Sequence, residues 1–249
     1  MRIALNATRD AGRRATRVLL AERDLTALGL YGYDGSNVAD RRTIAIRELT
    51  GFDILVTDDA DAASAFAGIA LDDGIPCVVT AESVEPDLDG RYAAAGLTLL
   101  VGSGSVAAIA VSLASHEVAR SDEVTSVTMA WTAPGKPLHR GTAAAFPDPV
   151  GARWGRIVGR APTHVEVPVD GEWAGAVATV NGRVGGDRVQ RVVGVADNRE
   201  HLEGIALAAG ALAVLAGGFG PGLHRPGDSP EAFLSAALRV GLGVAAFTQ

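Results

Sequence analysis

A stretch rich in proline and glycine, residues 132–156, carries the side chains best suited to acid–base chemistry and to binding anions. Lys136, the only lysine of the chain, and His139 could each donate a proton to a carbonyl or an imine. Arg140 and Arg153 could clamp the carboxylate of a substrate. The alternative stays open, because a single lysine or histidine in a loop is more often exposed without a catalytic role.

A second group of candidates lies in the first 34 residues. Residues 2–5 form a short apolar run, residues 12–22 have apolar side chains at helical spacing, and residues 25–31 form another apolar run. This order predicts a βαβ unit. Such a unit at the start of a chain is typical of a dinucleotide-binding domain.

The loop of this unit departs from the usual phosphate-binding pattern, which is Gly-x-Gly-x-x-Gly. If Gly12 is the third glycine, Ala7 and Arg9 stand at the first two glycine positions. The helix N-terminus still offers amide groups and a positive dipole end to an anion. Ala7, Thr8, Arg9 and Gly12 are therefore candidates for binding a cofactor. A βαβ unit without a cofactor is the alternative.

The end of the second strand usually decides between the two nicotinamide cofactors. Asp34 at this point would bond ribose hydroxyls and favour NAD. Gly32 there, followed by Arg41 and Arg42, would suit the 2′-phosphate of NADP. The sequence leaves this choice open, and a polar surface turn is a third interpretation.

Further short apolar runs predict parallel strands that are covered on both faces, at residues 51–57, 75–80 and 97–101. Ligands of such sheets bind at the carboxyl ends of the strands. The candidates at these ends are Thr57, Asp58, Thr80, Glu82 and the Gly-Ser-Gly-Ser loop of residues 102–105. Ser103 and Ser105 could contact a cofactor, and the alternative is that Ser105 only caps the helix predicted from residue 106.

The second half of the chain has a different pattern of apolar and polar residues. Four segments read as strands of an antiparallel sheet, at residues 124–131, 164–169, 174–181 and 189–195. Helices follow from residue 199, capped by Asp197 or Asn198, and from residue 230. The prediction is an α/β chain with a Rossmann-like parallel sheet in residues 1–122 and an α+β domain in residues 123–249. The last helix is expected to pack back on the first domain.

Composition narrows the function. The net charge of −7 argues against binding to nucleic acid or to an anionic membrane surface. A single cysteine, Cys77, rules out a disulfide within the chain and a zinc–cysteine cluster, and no metal site is predicted. The longest apolar segment, residues 205–218, is too short to span a bilayer. A cytoplasmic location is the expectation.

The order of domains resembles that of the NAD(P)-binding Rossmann dehydrogenase superfamily, which includes saccharopine-dehydrogenase-like proteins and dihydrodipicolinate reductases. Residues 101–114 (VGSGSVAAIAVSLA) are similar to the turn and helix that follow the last nucleotide-domain strand of the saccharopine type. Residues 136–143 (KPLHRGTA) resemble the lysine-to-Gly-Thr-Ala motif of the reductases. The resemblance implies that Lys136 donates a proton and that Gly141 and Thr142 hold a substrate carboxylate. It also implies a homodimer formed through the second-domain sheet.

Two functions are consistent with these features. The first is an NAD- or NADP-dependent oxidoreductase that transfers a hydride to or from a small imine or carbonyl substrate bearing a carboxylate. The second is a non-catalytic relative with a degenerate cofactor loop, which binds a small anionic metabolite or acts as a structural dimer. The βαβ opening, the Gly-Ser-Gly-Ser turn and the α+β second half make the oxidoreductase our prediction, while the altered glycine pattern favours the second function.

Overall fold

The computed structural model describes residues 1–32, 40–133, 144–145, 163–168 and 172–249. These residues form two sheets and six α-helices within the described ranges. None of the described helices is both long and apolar enough to cross a membrane.

The first sheet has seven strands, and every neighbouring pair is parallel. Their order in space is β12-β6-β5-β4-β1-β2-β3. The bounds are β1 Arg2–Asn6, β2 Ala27–Tyr31, β3 Thr43–Ile46, β4 Ile54–Thr57, β5 Cys77–Val79, β6 Thr98–Leu100 and β12 Gly222–His224. The central strands β1 and β4 are buried almost throughout, which confirms the predicted parallel sheet.

Three elements of this half were not predicted. β3 is an edge strand whose Ile44 is 42% exposed, so its sequence shows no buried run. The helix α3, Asp87–Ala95, buries only Leu88 and Tyr92. β12 has three residues and comes from the far end of the chain, where it pairs with β6. A pattern of local hydrophobicity is too weak to reveal elements this short or this polar.

The other helices are α1 Asp10–Leu20, α2 Ala63–Asp72, α4 Val106–Ala119, α5 Arg199–Leu215 and α6 Pro230–Arg239. α1 and α5 lie against each other so closely that a Cβ at Gly204 would be 2.7 Å from the Cβ of Arg14. The absence of a side chain at Gly204 thus allows the close packing of α5 on α1. Asn198 caps α5 by accepting hydrogen bonds from the amides of Glu200 and His201.

The second sheet has six strands in the order β13-β11-β10-β7-β9-β8. Their bounds are β7 Glu123–Ala133, β8 Ala144–Ala145, β9 Thr163–Pro168, β10 Trp173–Val184, β11 Asp187–Asn198 and β13 Ala245–Thr248. The predicted antiparallel pairing holds except at one place, because β9 runs parallel to β7. The buried face of β7 and β10 belongs to the same hydrophobic core as β1, with α4 and α5 packed on it.

Candidate functional site

The carboxyl edge of the first sheet is tied together by polar groups at the ends of three strands. Asn6 and Thr57 end β1 and β4 side by side. The hydroxyl of Thr57, fully buried, donates to Oδ1 of Asn6 over 3.0 Å. Asn6 in turn donates from Nδ2 to the carbonyl of Tyr31, at the end of β2. Hydrogen bonds thus join the ends of β1, β2 and β4 beside the start of α1.

Asp58 follows β4 directly and places its carboxylate at the N-terminus of α1. Oδ2 accepts from the amide of Arg9 over 2.7 Å and from the amide of Gly12 over 2.9 Å. Oδ1 accepts from the amide of Thr8 over 2.7 Å and from its hydroxyl over 2.9 Å. Asp58 is 1% exposed. The amide groups that the sequence assigns to a cofactor phosphate thus bind a carboxylate of the same chain.

Gly12 is required by this arrangement. A Cβ at position 12 would lie 2.4 Å from Oδ2 of Asp58 and 2.8 Å from the Cα of Ala7. The close approach of helix and strand that the glycine pattern predicts is present, and the space beside it is filled by the carboxylate.

The side chain of Arg9 is turned outward. It is 55% exposed, and its guanidinium lies 3.4 Å from the carboxylate of Asp61. Nearby, Oδ1 of Asp59 accepts from the amides of Asp61 and Ala62 in the turn just before α2. The surroundings of the α1 N-terminus are thus rich in carboxylates.

The Gly-Ser-Gly-Ser loop follows β6 at the same edge. Ser103 is fully buried, and its hydroxyl donates to the carbonyl of Ala206 in α5 over 3.0 Å. Ser105 accepts from the amide of Ala108, so its interpretation as a helix cap is confirmed. These two hydroxyls hold the loop against α5 and α4.

Two glycines of the loop have positive φ angles and lie against neighbouring side chains. A Cβ at Gly102 would be 2.8 Å from Oε2 of Glu82, and a Cβ at Gly104 would be 2.9 Å from Oγ1 of Thr80. The hydroxyl of Thr80 donates to the carbonyl of Thr57. Glu82 and Thr80 therefore pack against the two glycines of the loop.

The residues predicted to choose the cofactor are only partly described. Gly32, with φ +72°, follows β2 at the carboxyl edge. Asp34 lies outside the described residues. Arg42 lies at the other edge of the sheet, where it donates to the carbonyls of Leu20 and Glu22 at the end of α1. Arg42 is thereby held away from the end of β2.

Arg42 is also engaged by an acidic neighbour. Its guanidinium lies 2.8 Å from the carboxylate of Asp40, and hydrogen bonds from Arg42 hold the pKa of Asp40 at about 2. This pair fixes the turn that leads into β3.

The predicted site residues divide into two groups. Lys136, His139, Arg140, Gly141, Thr142 and Arg153 lie outside the described residues. Ala7, Thr8, Arg9, Gly12, Gly32, Thr57, Thr80, Ser103 and Ser105 all lie at the carboxyl edge of the first sheet. Within the described ranges, no three His, Cys, Asp or Glu side chains form a group that could hold a metal ion.

The bonding role of Asp58 could not be read from the sequence. Its place after a strand marked it as a residue of the ligand edge, but its partners lie 46 to 50 residues earlier in the chain. Hydrogen bonds between such distant residues leave no local pattern.

Comparison with known proteins places the fold. No family model and no curated protein matches the sequence. Among solved structures, a mutant meso-DapDH with DAP from Clostridium tetani E88 has a TM-score of 0.56 at 12% identity, over 94% of this chain and 95% of the other. The dipicolinate-bound dihydrodipicolinate reductase from Paenisporosarcina sp. TG-14 has a TM-score of 0.53 at 10% identity, over 90% and 97% of the two chains. A dehydrogenase (MviM) from Clostridium difficile has a TM-score of 0.53 at 8% identity, over 96% of each chain.

These likenesses extend over both sheets. The chain therefore shares the fold of these two dehydrogenases and of the reductase, as the sequence predicts. A shared fold hosts many functions, so the activity has to be argued from the site.

Proposed function

We propose that this chain is a non-catalytic relative of the dehydrogenases that share its fold, and that it binds a small anionic metabolite instead of a dinucleotide. The observation that carries the proposal is the contact between Asp58 and the start of α1. Three backbone amides and one hydroxyl, those of Thr8, Arg9 and Gly12, already bind its carboxylate.

Electrostatics opposes a dinucleotide at this place. A pyrophosphate would have to lie beside a carboxylate that is 1% exposed, where like charges repel strongly because little water screens them. The amides of Asp10 and Ala11, in the first turn of α1, have no acceptor within the helix. They stand next to this same carboxylate, so they offer a phosphate a weaker site than an unfilled helix N-terminus would.

An NAD(P)-dependent oxidoreductase is the second candidate. It is supported by the likeness to dehydrogenases and reductases over at least 90% of each chain. In this candidate Lys136 or His139 donates the proton, Arg140, Gly141, Thr142 and Arg153 hold the substrate carboxylate, and the dinucleotide binds along the carboxyl edge. Asp58 would then have to leave the amides when the dinucleotide binds.

A titration with NADH and with NADPH separates the two candidates. Calorimetry is applied to the wild-type protein, to Asp58→Ala, and to Asp61→Ala as a control whose carboxylate is 94% exposed. Under the proposed function, neither dinucleotide binds the wild type or the control at micromolar concentration. Micromolar binding to the wild type would overturn the proposal, and reduction of a keto or imino acid that is lost in Lys136→Ala would establish the oxidoreductase.

We also propose that the protein forms a homodimer through the open face of the second sheet. Thr128, Thr179, Val192 and Phe247 lie side by side across four strands on this face. Phe247 is 66% exposed, and Val177 on the same face is 37% exposed. Light scattering of the wild type and of Phe247→Ser tests this, since the variant should be a monomer at concentrations where the wild type is a dimer. A monomeric wild type would overturn it.

A further inference from the structure

A second candidate binding site lies away from Asp58, between α1 and the junction of β11 with α5. It is a cavity of about 560 Å³, within the range of roughly 300–1,000 Å³ that is usual for small-molecule sites. Asp10, Arg13, Arg14 and Arg17 of α1 line one wall, and Asp197, Asn198, Glu200 and His201 line the other. This place was not predicted as a site from the sequence.

The arginines share one face of α1 because residues three and four apart on a helix are neighbours. The guanidinium of Arg13 is paired with Asp10 at 3.0 Å. For Arg14 and Arg17, no carboxylate lies within 4.0 Å in the part of the chain that the structure describes. Two positive charges thus line the cavity, and neither has an ion-pair partner within 4.0 Å among the described residues.

Arg14 is held in place by a neutral partner. Its Nε donates to Nδ1 of His201 over 2.8 Å, which requires that this nitrogen carries no proton. Burial and the charge of Arg14 lower the pKa of His201, while Asp197, 3.7 Å from Nε2, raises it. The histidine therefore orients the guanidinium and leaves its charge available to a ligand.

The opposite wall of the cavity offers carboxylate oxygens as hydrogen-bond acceptors. Asp197 accepts from the amide of Asn198 through Oδ1, and its Oδ2 is on the side of His201. Glu200 lies in the first turn of α5 and lines the same cavity. A ligand that reaches this wall has to present hydrogen-bond donors, since a second anionic group would be repelled there.

We propose that this cavity binds a small metabolite with an anionic group, carboxylate or phosphate, against Arg14 and Arg17, and with a hydroxyl or amino group toward Asp197 and Glu200. Guanidinium groups bind both kinds of anion through paired, charge-assisted hydrogen bonds. The inference rests on the proposed function in that it supplies the ligand site of a binding protein. It is independent of the contact made by Asp58.

Calorimetric titration with L-glutamate and with glycerol 3-phosphate tests the site, and the probe that binds tells whether a carboxylate or a phosphate is preferred. Arg17→Gln is the test variant because this side chain is exposed, so its loss should not prevent folding. Arg47→Gln, an exposed arginine after β3, is the matched control, and glycerol is the uncharged control for the phosphate.

The expected result is binding of at least one probe to the wild type, weakened about tenfold or more in Arg17→Gln and unchanged in Arg47→Gln. No binding of either probe at millimolar concentration, equal binding in Arg17→Gln, or equal binding of glycerol would overturn the site. The titration with NADH and NADPH in the same buffer tests dinucleotide binding separately from binding in the cavity. If neither dinucleotide and neither probe binds, the proposed site between α1 and α5 is ruled out. The proposal that Asp58 excludes a dinucleotide from the N-terminus of α1 is then still supported.

Discussion

The amide of Gly12 donates to Oδ2 of Asp58 over 2.9 Å, and a Cβ on Gly12 would lie only 2.4 Å from that same oxygen. The glycine that lets α1 approach β1 is thus also the glycine that admits the carboxylate. The start of α1, the loop before it and the end of β4 thus pack around the carboxylate of Asp58.

Gly12→Ala should destabilise the protein by about 1–3 kcal/mol, because the new methyl group overlaps Asp58 and the Cα of Ala7. This loss would outweigh the gain of up to about 1 kcal/mol that alanine normally brings inside a helix. Urea denaturation followed by circular dichroism measures the free energy of unfolding.

Gly68→Ala in α2 is the matched control, since nothing lies within 4 Å of a Cβ at that position. It should stabilise the protein by about 0.5–1 kcal/mol through helix propensity alone. Equal effects of the two substitutions would show that Asp58 does not occupy the space beside Gly12.

Asp58→Ala should lower the free energy of unfolding by about 1–3 kcal/mol, because the amides of Thr8, Arg9 and Gly12 lose their acceptor. Inorganic phosphate should restore part of this loss, since the vacated helix N-terminus can bind an anion. Thermal denaturation with and without phosphate measures both effects. If phosphate raised the melting temperature of the wild type as much as that of the variant, the carboxylate would not be acting as the anion of this site.

Much of the fold could be predicted from the sequence, because apolar runs and helix caps are local patterns. The helix predicted from residue 106 runs over Val106–Ala119, with Ser105 as its cap, since a serine before an unbroken apolar run signals a helix start. β3 and β12 escaped prediction because their stability comes from pairing with β2 and β6, and their own residues are few or exposed.

The candidate sites were harder to predict, because their contacts join residues that are far apart in the sequence. Arg14 and His201 are 187 residues apart, so nothing local announces their contact. The only available signal was the spacing of Arg13, Arg14 and Arg17 on one face of a helix. The sequence placed Ser103 at the ligand edge, but it could not show that the hydroxyl is buried against α5.

Acidification should weaken the fold through His201. Its pKa is lowered by burial and by Arg14, so below about pH 6.5 the unfolded chain binds a proton that the native protein resists. Stability from this group is therefore complete above about pH 6.5 and falls as the pH decreases toward the lowered pKa. The melting temperature of the wild type should drop more between about pH 7 and pH 5.5 than that of His201→Gln, which cannot take up this proton. Parallel curves for the two proteins would contradict this assignment.

Ser103 and Gly210 should be energetically coupled. The hydroxyl of Ser103 donates to the carbonyl of Ala206, and Gly210 lies one turn further along α5. A Cβ at Gly210 would be 2.1 Å from Oγ of Ser103 and 3.0 Å from Cδ2 of Leu100. Gly210→Ala should therefore cost about 1–3 kcal/mol of stability, while Ser103→Ala should cost about 1 kcal/mol for the lost hydrogen bond.

The double variant decides whether this contact is the cause. Removing Oγ of Ser103 relieves the nearest overlap with a methyl group at position 210, although the 3.0 Å contacts with Cδ2 of Leu100 and with the Cβ of residue 103 remain. The combined loss should therefore be smaller than the sum of the two single losses, by about 0.5 kcal/mol or more in a double-mutant cycle. If the losses of unfolding free energy are strictly additive, the two substitutions act independently. The contact of Ser103 with α5 would then not hold the Gly-Ser-Gly-Ser loop in place.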